Sequence, residues 1–157
     1  MPEPYCLDTS ALIEWWVRRY PPDVLPGLVE RMEALIADGR AFIPSFVLAE
    51  LEQGGDDLFR WAKAQDGFVV NEEAAVQQAA AVLLAAYHDP QRPTKGISNA
   101  DPFVIALAQS TNPRWTVVTA EKVGSAENPK IPFVCRQRGI VCITFLELMR
   151  AENWRLS

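Results

Sequence analysis

Short apolar segments alternating with helical ones predict an α/β fold, a parallel sheet covered by helices on both faces. The chain has five short apolar or β-branched runs, at residues 5–7, 41–43, 68–70, 115–119 and 140–143. Most of the sequence between them shows helical spacing of apolar residues or high helix propensity. The prolines stand at the ends of these stretches and do not divide the chain into halves. The 157 residues therefore suit one compact domain, residues 1–157.

The first run, Tyr5-Cys6-Leu7, reads as a buried strand ending at Asp8. Residues 10–19 read as a helix that Tyr20-Pro21-Pro22 stops. Residues 25–37 place Leu28, Met32, Leu35 and Ile36 at helical spacing, and Gly39 ends that helix. Ala41-Phe42-Ile43 is the next strand. Residues 45–53 form a helix closed by Gly54-Gly55, and residues 57–64 another. Phe68-Val69-Val70 is a strand, and residues 72–87 are alanine-rich and strongly helical. Residues 89–98, with two prolines and a glycine, form a loop. Residues 101–110 are apolar nearly all round, which marks a buried helix. Residues 115–119 are a β-branched strand, 122–132 a polar loop, 140–143 the last strand and 145–150 the last helix.

Composition narrows the function. An apolar fraction of 49% supplies a real core. No apolar run approaches the roughly 20 residues of a membrane-spanning helix. Met1-Pro2-Glu3-Pro4-Tyr5 lacks the basic and apolar regions of a signal peptide, so a soluble cytoplasmic protein with no membrane association is expected. Three cysteines without a C-x-x-C pair argue against a disulfide framework or a cysteine zinc site. Cys6 and Cys142 lie in apolar runs and are expected in the core. A single histidine, His88, excludes two-histidine nuclease chemistry within one chain and argues against a histidine-rich zinc site. Its setting, Tyr87-His88-Asp89-Pro90, reads as a helix end at the surface. The net charge of −5 runs against a general nucleic-acid binder, which is usually basic. Two features can offset it: a divalent cation bound at clustered acids, or basic residues gathered on one face.

Four acids stand out, two after strands, one on the inward face of a helix and one opening a buried helix, and a parallel sheet can bring such residues together at the carboxyl ends of its strands. Asp8 follows the first strand and precedes Thr9-Ser10, where an Asp also caps the next helix. Glu50 projects between Phe46 and Val47 on the face that Leu51 also marks as inward, while Glu52 points to solvent. An ionised carboxylate there needs a cation or donors; a salt bridge to an arginine would serve equally. Asp101 opens the buried helix ahead of Pro102, a good helix start in its own right. Glu121 lies just beyond the strand at 115–119, where a surface acid is the plain alternative. If the sheet gathers all four at one end, their mutual repulsion calls for a bound cation. Oxygen donors without His or Cys suit Mg²⁺ or Mn²⁺.

Four segments carry a resemblance. Leu7-Asp8-Thr9-Ser10-Ala11-Leu12-Ile13, Val47-Leu48-Ala49-Glu50-Leu51, the run from Asn99 to Ala108 and Val117-Val118-Thr119-Ala120-Glu121 resemble the acidic motifs of PIN domains. They are most similar to those of VapC-type toxin ribonucleases and related uncharacterised PIN proteins. Order and spread fit across nearly the whole chain. The resemblance implies a three-layer α/β/α sandwich and a Mg²⁺- or Mn²⁺-dependent endoribonuclease, the toxin of a toxin–antitoxin pair. It makes Asp8, Glu50 and Asp101 the metal-site acids. Glu121 takes the fourth catalytic position, where the family usually has Asp or Asn; the extra methylene departs from the pattern. Ser10 and Thr119 resemble the family's supporting polar residues, which orient carboxylates or water.

RNA, an antitoxin protein and a second copy of the chain are the partners so implied. Lys122 and Lys130, near Arg136 and Arg138, are expected to guide the RNA backbone, or else to serve as a solvated loop. Of the adjacent Trp15 and Trp16, one is expected in the core and one at an interface, since neighbours on a helix point about 100° apart. Two other functions fit parts of the pattern. A haloacid-dehalogenase-like phosphatase also begins with Asp after a strand, but usually has a second Asp where this chain has Ser10. A non-catalytic interaction module that kept the fold has little reason to retain an unpaired Glu50.

Overall fold

The computed structural model describes residues 4–54 and 56–155, without the side chain of Asp56. Met1-Pro2-Glu3, and Gly55 of the expected Gly-Gly stop, lie outside the described residues. Five parallel strands form one sheet: β1 (Tyr5–Leu7), β2 (Ala41–Pro44), β3 (Val69–Val70), β4 (Thr116–Val118) and β5 (Cys142–Ile143), in the order β3-β2-β1-β4-β5. Leu7 pairs with Val118 and Cys6 with both Phe42 and Val117.

The helices are α1 (Thr9–Ile13), α2 (Gly27–Ala37), α3 (Ser45–Gly54), α4 (Asp56–Ala64), α5 (Ala74–Tyr87), α6 (Asp101–Gln109), α7 (Ile131–Arg138) and α8 (Phe145–Ala151). Right-handed crossovers put α1–α4 on one face of the sheet and α5–α7 on the other. This is the expected three-layer α/β/α sandwich. The chain leaves β1 toward β2 but reaches β4 on the other flank. The direction of winding therefore reverses between β1 and β4, where an open parallel sheet leaves a crevice beyond its carboxyl ends.

The core is continuous from α2 through the sheet to α6. In α6, Val104, Ile105, Ala106, Leu107 and Ala108 are all buried, which explains its all-round apolar sequence. Trp15 is fully buried, stacked on Phe145 with centroids 5.8 Å apart. Trp15 thus takes the core position expected for one of the pair, while Trp16 is half-buried and tilts against Trp61 at 5.6 Å in the same aromatic cluster.

Three local expectations are corrected. The helix expected at residues 10–19 is α-helical only to Ile13 and continues as a π-helical segment, Glu14–Arg19. The loop expected at 122–132 gives way to α7 at Ile131, whose pattern Pro132 and the flanking charges obscure. Phe46 is 43% exposed and stacks on Phe103 at 3.9 Å instead of facing the core. His88 ends α5 half-buried, with Nδ1 3.0 Å from the Ile97 carbonyl oxygen. Cys6 is buried, and Cys142 only half-buried.

Candidate active site

Asp8 leaves β1 and caps α1, accepting a hydrogen bond from the Ala11 amide at 2.8 Å. The cap does not use up the carboxylate. Ser10 Oγ lies 2.8 and 2.9 Å from its two oxygens, and Thr119 Oγ1 donates to Oδ2 at 2.7 Å. Thr119 sits directly after β4, so the pairing of β1 with β4 delivers its hydroxyl to Asp8. Ser10 Oγ also accepts from the Ala120 amide at 2.9 Å, tying the two strand ends together. Asp8 is only 3% exposed, and burial pushes its carboxyl up to about 7 against the pull of these donors.

Asp101 is the first residue of α6, but its side chain does not cap that helix. Its Oδ2 instead accepts from the Ser98 amide at 3.2 Å, and Asn99 between them takes the left-handed conformation, φ 53°. Burial, and then the charges of Glu121, Asp8 and Glu50, push the Asp101 carboxyl up to about 8. Gly96 anchors the segment before it. With φ 81°, a β-carbon there would run into the Tyr87 carbonyl, so only glycine fits.

Glu50 is half-buried on α3 and accepts from Thr9 Oγ1 at 2.5 Å. Glu121 Oε1 accepts from the Ile131 amide at 3.2 Å, at the start of α7. The longer side chain thus reaches a helix N-terminus, where a carboxylate is favoured.

All four acids line one cleft of about 280 Å³, with Thr9, Ser10, Ile13, Arg18, Ser98, Asn99 and Lys130. Lys122 is exposed and is not among these residues. Lys130 caps α7 and donates to the Gly96 carbonyl at 3.4 Å. Arg18, Thr9, Ser98 and Asn99 were not foreseen from sequence. Arg18 was hidden because α-helical geometry turns it away from Ile13.

Among the described residues, no Lys or Arg forms an ion pair with any of the four acids. The other end of the sheet differs: there Glu152 meets Arg40 at 2.7 Å and the Tyr5 hydroxyl at 2.5 Å. The all-oxygen donors of the cleft, with two carboxyls pushed up by burial and like charge, match the chemistry of a hard divalent cation. As positioned, no three Asp, Glu, His or Cys side chains among the described residues are grouped to hold one ion. Glu50 and Glu121 are instead turned onto Thr9 and the Ile131 amide.

Comparison with solved structures shows the same fold in two crystal structures at low identity. The crystal structure of FitAcB from Neisseria gonorrhoeae matches with a TM-score of 0.53 and 18% identity, covering 88% of this chain and 96% of that chain. VapBC2 from Rickettsia felis, bound to a DNA fragment from their promoter, matches with a TM-score of 0.52 and 19% identity, covering 89% and 97%. At such identities the likeness shows the fold, and the PIN-like architecture expected from the sequence is the architecture found. No curated protein matches the chain. A family model described as a domain of unknown function, DUF4411, matches residues 5–156. With its parallel sheet and acid-lined cleft, the chain belongs to the DUF4411 family.

Proposed function

We propose that this protein is a Mg²⁺- or Mn²⁺-dependent endoribonuclease that hydrolyses RNA phosphodiester bonds, and the toxin of a toxin–antitoxin pair. The observation that supports catalysis is the convergence of four carboxylates, from β1, α3, α6 and the end of β4, on one cleft, where none of them forms an ion pair among the described residues. Asp8, Glu50 and Asp101 would hold the ion, and Glu121 completes the catalytic set. When bound, the ion supplies an activated water and charge relief on the phosphate. Ser10 and Thr119 donate to the Asp8 carboxylate and would hold its orientation for the ion.

RNA as substrate rests on the resemblance of the four acidic segments to PIN motifs. The fold shared with FitAcB and VapBC2 supports an antitoxin partner, and a homodimer belongs to the same proposal. Purified protein incubated with total RNA in Mg²⁺, Mn²⁺ or chelator tests it: cleavage should require metal, and cleavage that persists in chelator overturns the metal mechanism.

One contact favours the interaction-module alternative: the Thr9 hydroxyl gives Glu50 a partner that needs no metal. Protease protection during a metal titration separates the two, since a module without a metal site gains none. The phosphatase alternative has no such support, because Ser10, at its second Asp position, is occupied with orienting Asp8.

A further inference from the structure

We propose that Arg18 is a substrate-positioning residue that binds a phosphate of the RNA beside the acids; this rests on the ribonuclease function proposed above. Arg18 lies in the π-helical segment Glu14–Arg19 and lines the acid cleft together with Ile13, five residues earlier. On an α-helix, residues five apart point roughly 140° away from each other. In a π-helix, i→i+5 bonding stacks them. Two contacts show this alignment. Tyr20 N donates to Trp15 O at 3.1 Å, and Arg19 pairs with Glu14 at 3.1 Å, each across five residues. The same offset carries Arg18 onto the face of Ile13, and both line the cleft.

The π segment has an evident packing cause. Trp15 is fully buried between Trp61 and Phe145, and Trp16 packs on Trp61. Seating adjacent tryptophans in one cluster widens the turn, and the widened turn redirects Arg18. Arg18 is exposed and lines the cleft that holds the four acids, yet forms no ion pair with them among the described residues. A cation held near the acids without neutralising them is placed for an anion that arrives from solvent. The planar fork of arginine suits a phosphodiester. Lys130, from the start of α7, lines the same cleft and supplies a second positive charge.

The test uses the full chain, as the unmodified protein and as Arg18→Gln and Arg18→Lys. Binding of a labelled single-stranded RNA is measured over a salt series in chelator, and Mn²⁺ binding by calorimetry. Arg18→Gln should weaken RNA binding several-fold and reduce the slope of log K against log salt by about 0.7, the value for one phosphate contact on a single strand. Arg18→Lys should restore the slope. Mn²⁺ should bind Arg18→Gln as tightly as the unmodified protein or more tightly, because a positive charge has left an acidic cleft; loss of a structural residue would weaken both. An unchanged salt slope in Arg18→Gln, in a protein that cleaves RNA, overturns this inference alone. Failure of the unmodified protein to cleave RNA in any metal overturns the ribonuclease proposal, and the inference with it.

Discussion

The hydroxyl of Thr119 donates to Asp8 Oδ2 at 2.7 Å across 111 residues of sequence, joining the residues that directly follow the paired strands β1 and β4. This bond and those from Ser10 favour the ionised carboxylate, while burial opposes it. Removing Thr119 Oγ1 should push the Asp8 carboxyl further up. Thr119→Val is expected to reduce metal-dependent cleavage about 10–100-fold, the usual cost of losing an outer hydrogen bond to a metal-site ligand. It should also move the acid limb of the pH–rate profile to higher pH, whereas Thr119→Ser retains the wild-type profile. A rate loss with no movement of the limb would show that Thr119 acts only through packing.

The acids themselves should dominate activity. Asp8→Asn, Glu50→Gln and Asp101→Asn are each expected to lower chelator-sensitive cleavage by about 10²–10³-fold or more. Glu121→Gln should cost less, since glutamine still accepts from the Ile131 amide. Circular dichroism should show all four folded. Wild-type cleavage by Asp101→Asn would remove that residue from the catalytic set.

Stability should fall as pH rises. The folded protein raises Asp8 from 3.8 to about 7 and Asp101 from 3.8 to about 8. Both are raised, so the stability they contribute is complete below pH 3.8 and is lost as pH climbs through 7 to 8. In chelator, Tm should drop between pH 5.5 and pH 8.5 by at least several degrees, at about 2–4 °C per kcal/mol for a chain of this size. Asp101→Asn should flatten the drop and raise Tm at pH 8.5. Asp8→Asn should gain less, because an amide offers one acceptor where Ser10, Thr119 and Ala11 now meet two. Added Mg²⁺ should stabilise the unmodified protein more at pH 8.5 than at pH 5.5. Calorimetric scans across this range check all of these, and a Tm that rises toward pH 8.5 would contradict the assigned directions.

Lys122 and Lys130, grouped together in the sequence, should behave differently. Lys130 lines the cleft, and Lys122 does not. Lys130→Ala should lower the salt slope of RNA binding by about 0.7, and Lys122→Ala should leave it unchanged. Equal effects from the two would place the RNA path outside the cleft.

The layer architecture and the candidate acids were legible in local sequence patterns. Apolar period and strand–helix alternation are local signals, and they located β1, β2, β4 and the buried α6. Asp8, Glu121 and Asp101 could be named because they follow a strand or open a helix, and Glu50 because helical spacing turns it inward. Helix α7 stayed hidden because Pro132 and its cations mask a pattern of only eight residues. The exposure of Phe46 was hidden too, since its partner Phe103 lies on another helix. Tertiary structure alone decided which hydroxyl reaches Asp8, because that depends on β1 pairing with β4. It decided that Lys130 and not Lys122 joins the cleft, because α7 starts at Ile131. It decided the direction of Arg18, because packing two adjacent tryptophans against Trp61 changes the helical period locally, and no local propensity encodes a contact made 45 residues away.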